Sequence, residues 1–249
     1  MPETSLDAFL GGRVQLRQLR AGHRAGLDAA LLAAAAGDPV ERFVDVGAGV
    51  GAVALSLLAR WPEAQADLVE IDAAAAALAR ENLETNGVAD RGRVAEADLL
   101  SPPSRRAAGL GDEGADLVVS NPPFYATGSV RASPVKAKAG AHVFSAQEGD
   151  PLAAWIRACL ALLKPDGRFV MIHRADALGA LLQGIGARLG DIAVRPVHPR
   201  AEAEAIRVLV SGVKGSKAPL RLLPGLTLHE AGGAYTARAE AALRGELLL

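Results

Sequence analysis

Beyond residue 40 the chain alternates short apolar runs with longer Ala- and Leu-rich stretches of helical length. The run "RFVDVG" predicts a short buried strand, followed by a glycine-rich turn and the helix "AVALSLLARW". A second strand, "AQADLVEID", leads into "AAAAALARENLETNG", a helix ended by Gly87, which tolerates the left-handed conformation past a helix end. "GRVAEADLL" and "ADLVVSNPP" predict strands three and four. "PLAAWIRACLALLKPDG" predicts a helix stopped by Pro165 and Gly167, before "RFVMIH" as strand five. After the helix "ADALGALLQGIGARLG", no helix-length segment separates "DIAVRPVHP" from "AEAIRVLVSG", so these two predict an antiparallel pair. Strands alternating with helices predict a parallel sheet covered on both faces. The fold class is therefore α/β and Rossmann-like: seven strands, mostly parallel, with a C-terminal antiparallel pair. Residues 41–215 form the core, flanked by an N-terminal segment, 1–40, and an extension, 216–249, apolar enough to pack on it. One domain is expected.

Composition narrows the setting. Half the residues are apolar but only 4% are aromatic, the pattern of a globular protein with Ala-rich helices. No apolar run approaches the roughly 18–20 residues of a membrane span, and "MPETSLDAFLGG" lacks the basic-then-apolar pattern of a signal peptide. The lone Cys159 excludes an internal disulfide, and a cytoplasmic protein is expected. The net charge of -1 argues against a chain wrapped in nucleic acid, yet the charges are segregated. One acid-free run carries Arg13, Arg17, Arg20 and Arg24; another carries Arg131, Lys136 and Lys138. A third cluster comprises Arg195, Arg200, Arg207, Lys214, Lys217 and Arg221. Convergence of such runs on one face would attract phosphate despite overall neutrality. The five histidines are scattered without metal-ligand spacing, so no metal is expected.

Candidate chemistry collects at strand ends. Strand one ends in Asp45, then Gly47, Gly49 and Gly51, and alternate glycines let a backbone turn sharply and approach a ligand. By itself this also satisfies the loose dinucleotide pattern. Glu70 ends strand two, where a carboxylate can accept from both hydroxyls of a ribose, a feature shared by NAD and S-adenosylmethionine. Asp98, after strand three, is placed to accept from an adenine amino group, again common to both. Asp45 separates them: beside a pyrophosphate it is unfavourable, whereas it suits the ammonium of a methionine moiety. Each acid also has a plainer reading, Asp45 as a turn cap, Glu70 as an exposed carboxylate and Asp98 as a loop start. Three together at the carboxyl ends of neighbouring strands mark the edge where open α/β sheets bind ligands.

Strand four closes on Asn121-Pro122-Pro123-Phe124-Tyr125. The two prolines end the strand and stiffen the residues after it. An exocyclic base amine or a side-chain amide is a poor nucleophile because its lone pair is delocalised. The Asn121 side-chain oxygen and the Pro122 carbonyl can each accept one hydrogen of such an NH2, aiming its lone pair and stabilising the charge that develops. Pro123 holds that carbonyl fixed, Phe124 offers a face for an unpaired base, and Tyr125 can line the same pocket. Arg131, Lys136 and Lys138 come directly after and are placed to meet phosphates, as is Lys214.

"DVGAGVG", "VEID", "EADLL" and "SNPPF" at these spacings resemble a class I S-adenosylmethionine-dependent methyltransferase of the amino-methylating kind, over about residues 41–175. The flanks "GHRAGLDAALLAAA" and "EAIRVLVSGVKG" with "PLRLLPGLTLHEAGGAYT" resemble those of bacterial tRNA(Val) anticodon-loop adenine-N6 methyltransferases. The resemblance implies S-adenosylmethionine as cofactor, held by Asp45, Gly47, Gly49, Gly51, Glu70 and Asp98, with Asn121, Pro122 and Phe124 at the target amine. It adds Asp28, in an N-terminal segment that closes over the cofactor, and implies tRNA as substrate, no membrane and no metal. One departure is Gly22-His23-Arg24, where relatives usually have Gly-Tyr-Arg. Three competing readings use the same residues: glutamine methylation of a release factor, guanine-N2 methylation of ribosomal RNA, and an RNA-binding module without catalysis. A nicotinamide oxidoreductase leaves "NPPF" unexplained.

Overall fold

The computed structural model describes residues 3–20, 24–122 and 150–249. Its centre is a sheet whose parallel strands have helices packed on both faces. These strands are β3 (Arg42–Val46), β4 (Gln65–Glu70), β5 (Gly92–Glu96), β6 (Ala115–Ser120) and β7 (Leu163–Arg174). They run parallel, in the spatial order β7-β6-β3-β4-β5. Two further strands, β8 (Leu189–His198) and β9 (Arg207–Lys214), form the expected antiparallel pair. β9 slots between β7 and β8, antiparallel to both. Two strands of two residues, β10 (Arg221–Leu222) and β11 (Leu226–Thr227), extend β8 in parallel and bring this sheet to nine. The seven expected strands are present; the two short ones are additions from the C-terminal extension.

Helices cover both faces. One core gathers Phe43, Leu55, Leu68 and Leu117 under α1 (Leu27–Ala35), α2 (Ala52–Arg60), α3 (Ala73–Thr85) and, later in the chain, α7 (Ala237–Leu243). The other gathers Val44, Val118, Phe169 and Met171 under α5 (Pro151–Leu162) and α6 (Leu178–Ile185), with α4 (Pro102–Ala107) beside them. Phe43 and Val44 face opposite cores, as the period of two in a strand requires. Caps explain several helix starts. Asp72 accepts from Ala74 and Ala75 N–H ahead of α3, and Asp150 accepts from Leu152 N–H ahead of α5, whose first residue is proline. α5 ends earlier than expected, at Leu162, and β7 starts at Leu163. Leu163 lies opposite Ala115 and Arg168 opposite Leu117, so the residues between them bulge and Pro165 lies within the strand's span, not past the helix.

One element went unforeseen. Residues 4–19 form a separate hairpin of β1 (Thr4–Phe9) and β2 (Val14–Leu19). Two asparagines one helical turn apart, Asn82 on α3 and Asn86 at its C-cap, hold it. Asn82 accepts from Arg17 N–H (2.7 Å) and donates to Arg17 O, while Asn86 accepts from Gln15 N–H (2.8 Å) and donates to Gln15 O. Each amide thereby stands in for a neighbouring strand. Asn82 Nδ2 also donates to Val50 O at 2.9 Å, joining the hairpin to the glycine loop.

Candidate active site

The carboxyl ends of the parallel strands stop in register. Val46 lies opposite Val69 and Ser120, and Glu70 lies opposite Glu96. The next positions along the sheet edge are therefore Asn121, Gly47, Glu70 and Glu96, one strand spacing of ~4.8 Å apart. Asp98 comes two residues after Glu96. Four of the expected positions thus share one edge.

Gly47 and Ala48 both donate N–H to Val69 O, at 2.9 and 3.0 Å, which draws the loop across the end of β4. Gly47, Gly49 and Gly51 all have positive φ (70°, 57° and 88°), and α2 starts directly after Gly51. A Cβ on Gly49 would meet no atom within 4 Å, so a ligand can approach that backbone closely. Glu70 fastens the loop. Its Oε2 accepts from Gly49 N–H, and its Oε1 from Ile71 and Asp72 N–H, all at 2.8 Å. Three of the carboxylate's about four acceptor positions are thus taken. The open one, on Oε2, suits one ribose hydroxyl without displacing a protein bond. Asp98 accepts from Leu100 N–H through Oδ1 (2.9 Å), which fixes its orientation beside the same edge.

Asp45 is placed differently. It is 1% exposed, and its Oδ2 accepts from Ala54 N–H in the first turn of α2 at 3.0 Å. Burial pushes its carboxyl up to about 7 against the pull of that bond, and the Glu70 charge adds to the rise. The plainer reading of Asp45, a cap for the turn and helix, matches this contact.

The elbow after β6 is tightly held up to Asn121. Ser120 is fully buried; its hydroxyl donates to Val46 O and accepts from the Trp155 indole N–H, both at 3.0 Å. Asn121 is half-buried, Pro122 is buried, and no described residue bonds the Asn121 amide. Pro123, Phe124, Tyr125, Arg131, Lys136 and Lys138 lie outside the described residues, as does His23.

Two expected contacts have other partners. Asp28, in the first turn of α1, meets Arg207 Nε with both oxygens (3.1 and 3.0 Å), and Arg207 lies opposite Arg174 at the same sheet edge. Lys214 is a correction. Because β9 runs antiparallel, Lys214 ends at the opposite edge of the sheet, where its ammonium donates to Leu160 O (3.1 Å), Leu163 O (2.5 Å) and Glu113 (3.1 Å). It caps the carbonyl end of α5 and stands away from Asn121. The basic runs are also more paired than their sequence implies: Arg17 with Glu81, Arg20 with Glu3, Arg24 with Asp7, and Arg221 with Asp191. Among the described residues no cluster of His, Cys, Asp or Glu could hold a metal ion, and no helix is long and apolar enough to cross a membrane.

Sequence reasoning passed over Ile71, Ser120 and Trp155. Ile71 is a large apolar side chain left exposed beside Glu70. The signal for Trp155 was faint: one of only two tryptophans, at helical spacing from Cys159.

A Rossmann-like sheet with a glycine loop after β3 and acids at the carboxyl ends of β3, β4 and β5 is the arrangement of the class I methyltransferases. Residues 26–139 match the family model "Methyltransferase small domain". The chain is 33% identical over 201 residues to the tRNA1(Val) (adenine(37)-N6)-methyltransferase of Porphyromonas gingivalis, covering 76% of both chains. It belongs to that methyltransferase family. A release factor glutamine methyltransferase of Cereibacter sphaeroides is 31% identical over 172 residues, with 67% of this chain and 59% of that one covered. Among solved structures, a predicted O-methyltransferase from Agrobacterium tumefaciens superposes with a TM-score of 0.74 at 29% identity, covering 89% of this chain and 98% of that one.

Proposed function

We propose that this protein methylates the exocyclic N6 amine of an unpaired adenine in a tRNA anticodon loop, with S-adenosylmethionine as donor, in the cytoplasm. The observation that carries the reading is the Asn121 amide, set one strand from the glycine loop and bonded to no described residue. The donor supplies a methyl carbon made electrophilic by its sulfonium. Glycines 47, 49 and 51 would hold it, with Glu70 on the ribose and Asp98 at the adenine amino group. Exposed Ile71, beside Glu70, offers an apolar face for that adenine. Asp45, sealed and bonded to Ala54 N–H, would shape the donor pocket only through the loop and helix it holds. Residues 1–40 act as a cap, 41–215 as the catalytic core, and 216–249 as an extension of that core.

Asn121 Oδ1 and Pro122 O each accept one hydrogen of the target NH2. That turns the nitrogen lone pair towards the donor and stabilises the positive charge that grows on nitrogen. Two acceptors fit a group with two hydrogens. A hydroxyl has one hydrogen and calls for a base to remove it, which neither an amide oxygen nor a peptide carbonyl provides. The alkylated nitrogen, by contrast, is acidic and releases one of its two hydrogens as a proton to water. This favours N- over O-methylation. Phe124 supplies the stacking face for the base, with Pro123 and Tyr125 around it, and Arg131, Lys136 and Lys138 meet the flanking phosphates. A loop base is favoured over a duplex base because it needs no unpairing to enter the site.

The test is incubation with labelled S-adenosylmethionine and, separately, unmodified total tRNA, small ribosomal RNA and release factor. The products are then read by nucleoside mass spectrometry. Label in N6-methyladenosine of the tRNA fraction is the expected result. Label confined to release factor would select the glutamine reading, which the Cereibacter relative favours. Label in N2-methylguanosine would select the ribosomal one.

A further inference from the structure

We propose that Trp155 is a positioning residue that locks the acceptor elbow to the donor loop; this rests on the methyl-transfer reading above. Its indole N–H donates to Ser120 Oγ, and Ser120 donates to Val46 O, each bond 3.0 Å long. Ser120 immediately precedes Asn121, and Val46 immediately precedes Gly47. The two bonds therefore tie together the last residues of the strands that present the acceptor amide and the glycine loop. The ring itself reaches the loop as well. A Cβ on Gly47 would lie 3.2 Å from Trp155 Cζ2 and 3.5 Å from Cη2. One side chain thus touches both half-sites. Cys159, one turn further along α5, is buried and its thiol neighbours Ser120 too, so a single helix face docks on this junction.

Packing alone does not account for the arrangement. A phenylalanine, smaller than the indole, would give up the contact with Gly47 and leave the Ser120 hydroxyl without its donor. Ser120 is completely buried and makes its other bond to the neighbouring strand, so the relay has one geometry. Methyl transfer is sensitive to that geometry. The attacking nitrogen has to lie about 3–3.5 Å from the methyl carbon on its axis, and a displacement of about 1 Å costs on the order of a hundredfold in rate. Strands β3 and β6 are already paired, but their pairing ends at Val46 and Ser120. The relay carries the register past the last ladder position, to the two residues where the donor and the amine meet. Trp155 acts through Ser120 and Gly47, not on the reacting atoms.

The experiment compares wild type, Trp155→Phe, Ser120→Ala and the double variant. It measures single-turnover methyl transfer to unmodified tRNA at saturating donor, S-adenosylhomocysteine affinity by calorimetry, and intrinsic tryptophan emission. Each single variant is expected to slow transfer about 10- to 100-fold, with the double variant no slower than the slower single. Affinity for S-adenosylhomocysteine stays within about threefold of wild type, less than 1 kcal/mol. Emission responds to S-adenosylhomocysteine in wild type and not in Trp155→Phe, because the other tryptophan, Trp61, is buried against Phe43. Unchanged transfer in Trp155→Phe overturns the proposal. So does slowing matched by an equal loss of S-adenosylhomocysteine affinity or of folded protein by circular dichroism. If wild type leaves tRNA unmethylated, the substrate reading falls and emission from Ser120→Ala decides this one: a lost response to S-adenosylhomocysteine upholds it, an unaltered one overturns it.

Discussion

Asn121 and Asp45 lie close together on the sheet edge and differ in every physical respect. The Asn121 side chain is half-buried and bonded to no described residue, as the proposed role in holding a substrate amine requires. Replacing it with alanine removes one of the two proposed acceptors. Transfer is expected to fall about 10²- to 10³-fold, while S-adenosylhomocysteine affinity by calorimetry stays as in wild type. Asp45 is sealed and committed to Ala54, and the folded protein holds its proton up to about pH 7. The unfolded chain gives that proton up near 3.8, the ordinary value for aspartate. Between these values the native state binds more protons than the unfolded one, so stability drains away as pH rises through the window. Asp45→Asn keeps an oxygen for Ala54 N–H and removes the ionisation. Its melting temperature is expected to exceed wild type at pH 8 and to match it near pH 4, which scanning calorimetry at the two pH values would measure.

At the scale of elements, two attachments carry distinct consequences. The β1–β2 hairpin is held to α3 by amide pairs that copy strand pairing, and Asn82, fully buried, ties it to the loop at Val50 as well. Asn82→Ala strands Arg17 N–H, Arg17 O and Val50 O, at a cost of about 1–3 kcal/mol for each group that stays buried. Hydrogen exchange at the Arg17 amide should accelerate, whereas the Gln15 amide, held by Asn86, should change less. Lys214 makes the opposite case. Lys214→Met removes the ammonium from the carbonyls of Leu160 and Leu163, so the thermal midpoint falls. Methyl transfer per folded molecule is unaffected, because the residue sits at the far edge of the sheet. A parallel loss of tRNA affinity by filter binding would restore the role its sequence position implied.

For the whole molecule, charge matters less by number than by pairing. Arg17, Arg20, Arg24 and several of the later cations face acids, such as Arg17 with Glu81 and Arg207 with Asp28. Paired cations release few counterions when a polyanion binds. On the proposed tRNA reading, the run holding Arg131, Lys136 and Lys138 is the one set to meet phosphates. Changing these three to glutamine is expected to lower the slope of log affinity against log salt by about 2 to 3. Changing Arg20 and Arg221 to glutamine should leave the slope nearly as it was. Fluorescence titration of tRNA at several salt concentrations would measure both.

The sequence by itself determined the order of strands and helices, the positive-φ glycines of the loop and the acids at the ends of β3, β4 and β5. These are local: a glycine at a turn, a proline after a strand and an apolar run of fixed period act through their immediate neighbours. The elbow after β6 was legible for the same reason, since Asn121 and Pro122 are adjacent in the chain. Only tertiary structure decided which contacts each side chain would make. The hairpin was illegible because Asn82 and Asn86 lie some seventy residues from the strand they bond. Lys214 was misplaced because its position depends on the direction of β9, which pairing with β7 and β8 settles. Asp45 became a buried cap once the first turn of α2 folded back on it, and Trp155 met Ser120 across 35 residues. Hydrogen bonds and burial act through space, so a linear pattern can locate a functional edge without naming everything that holds it in place.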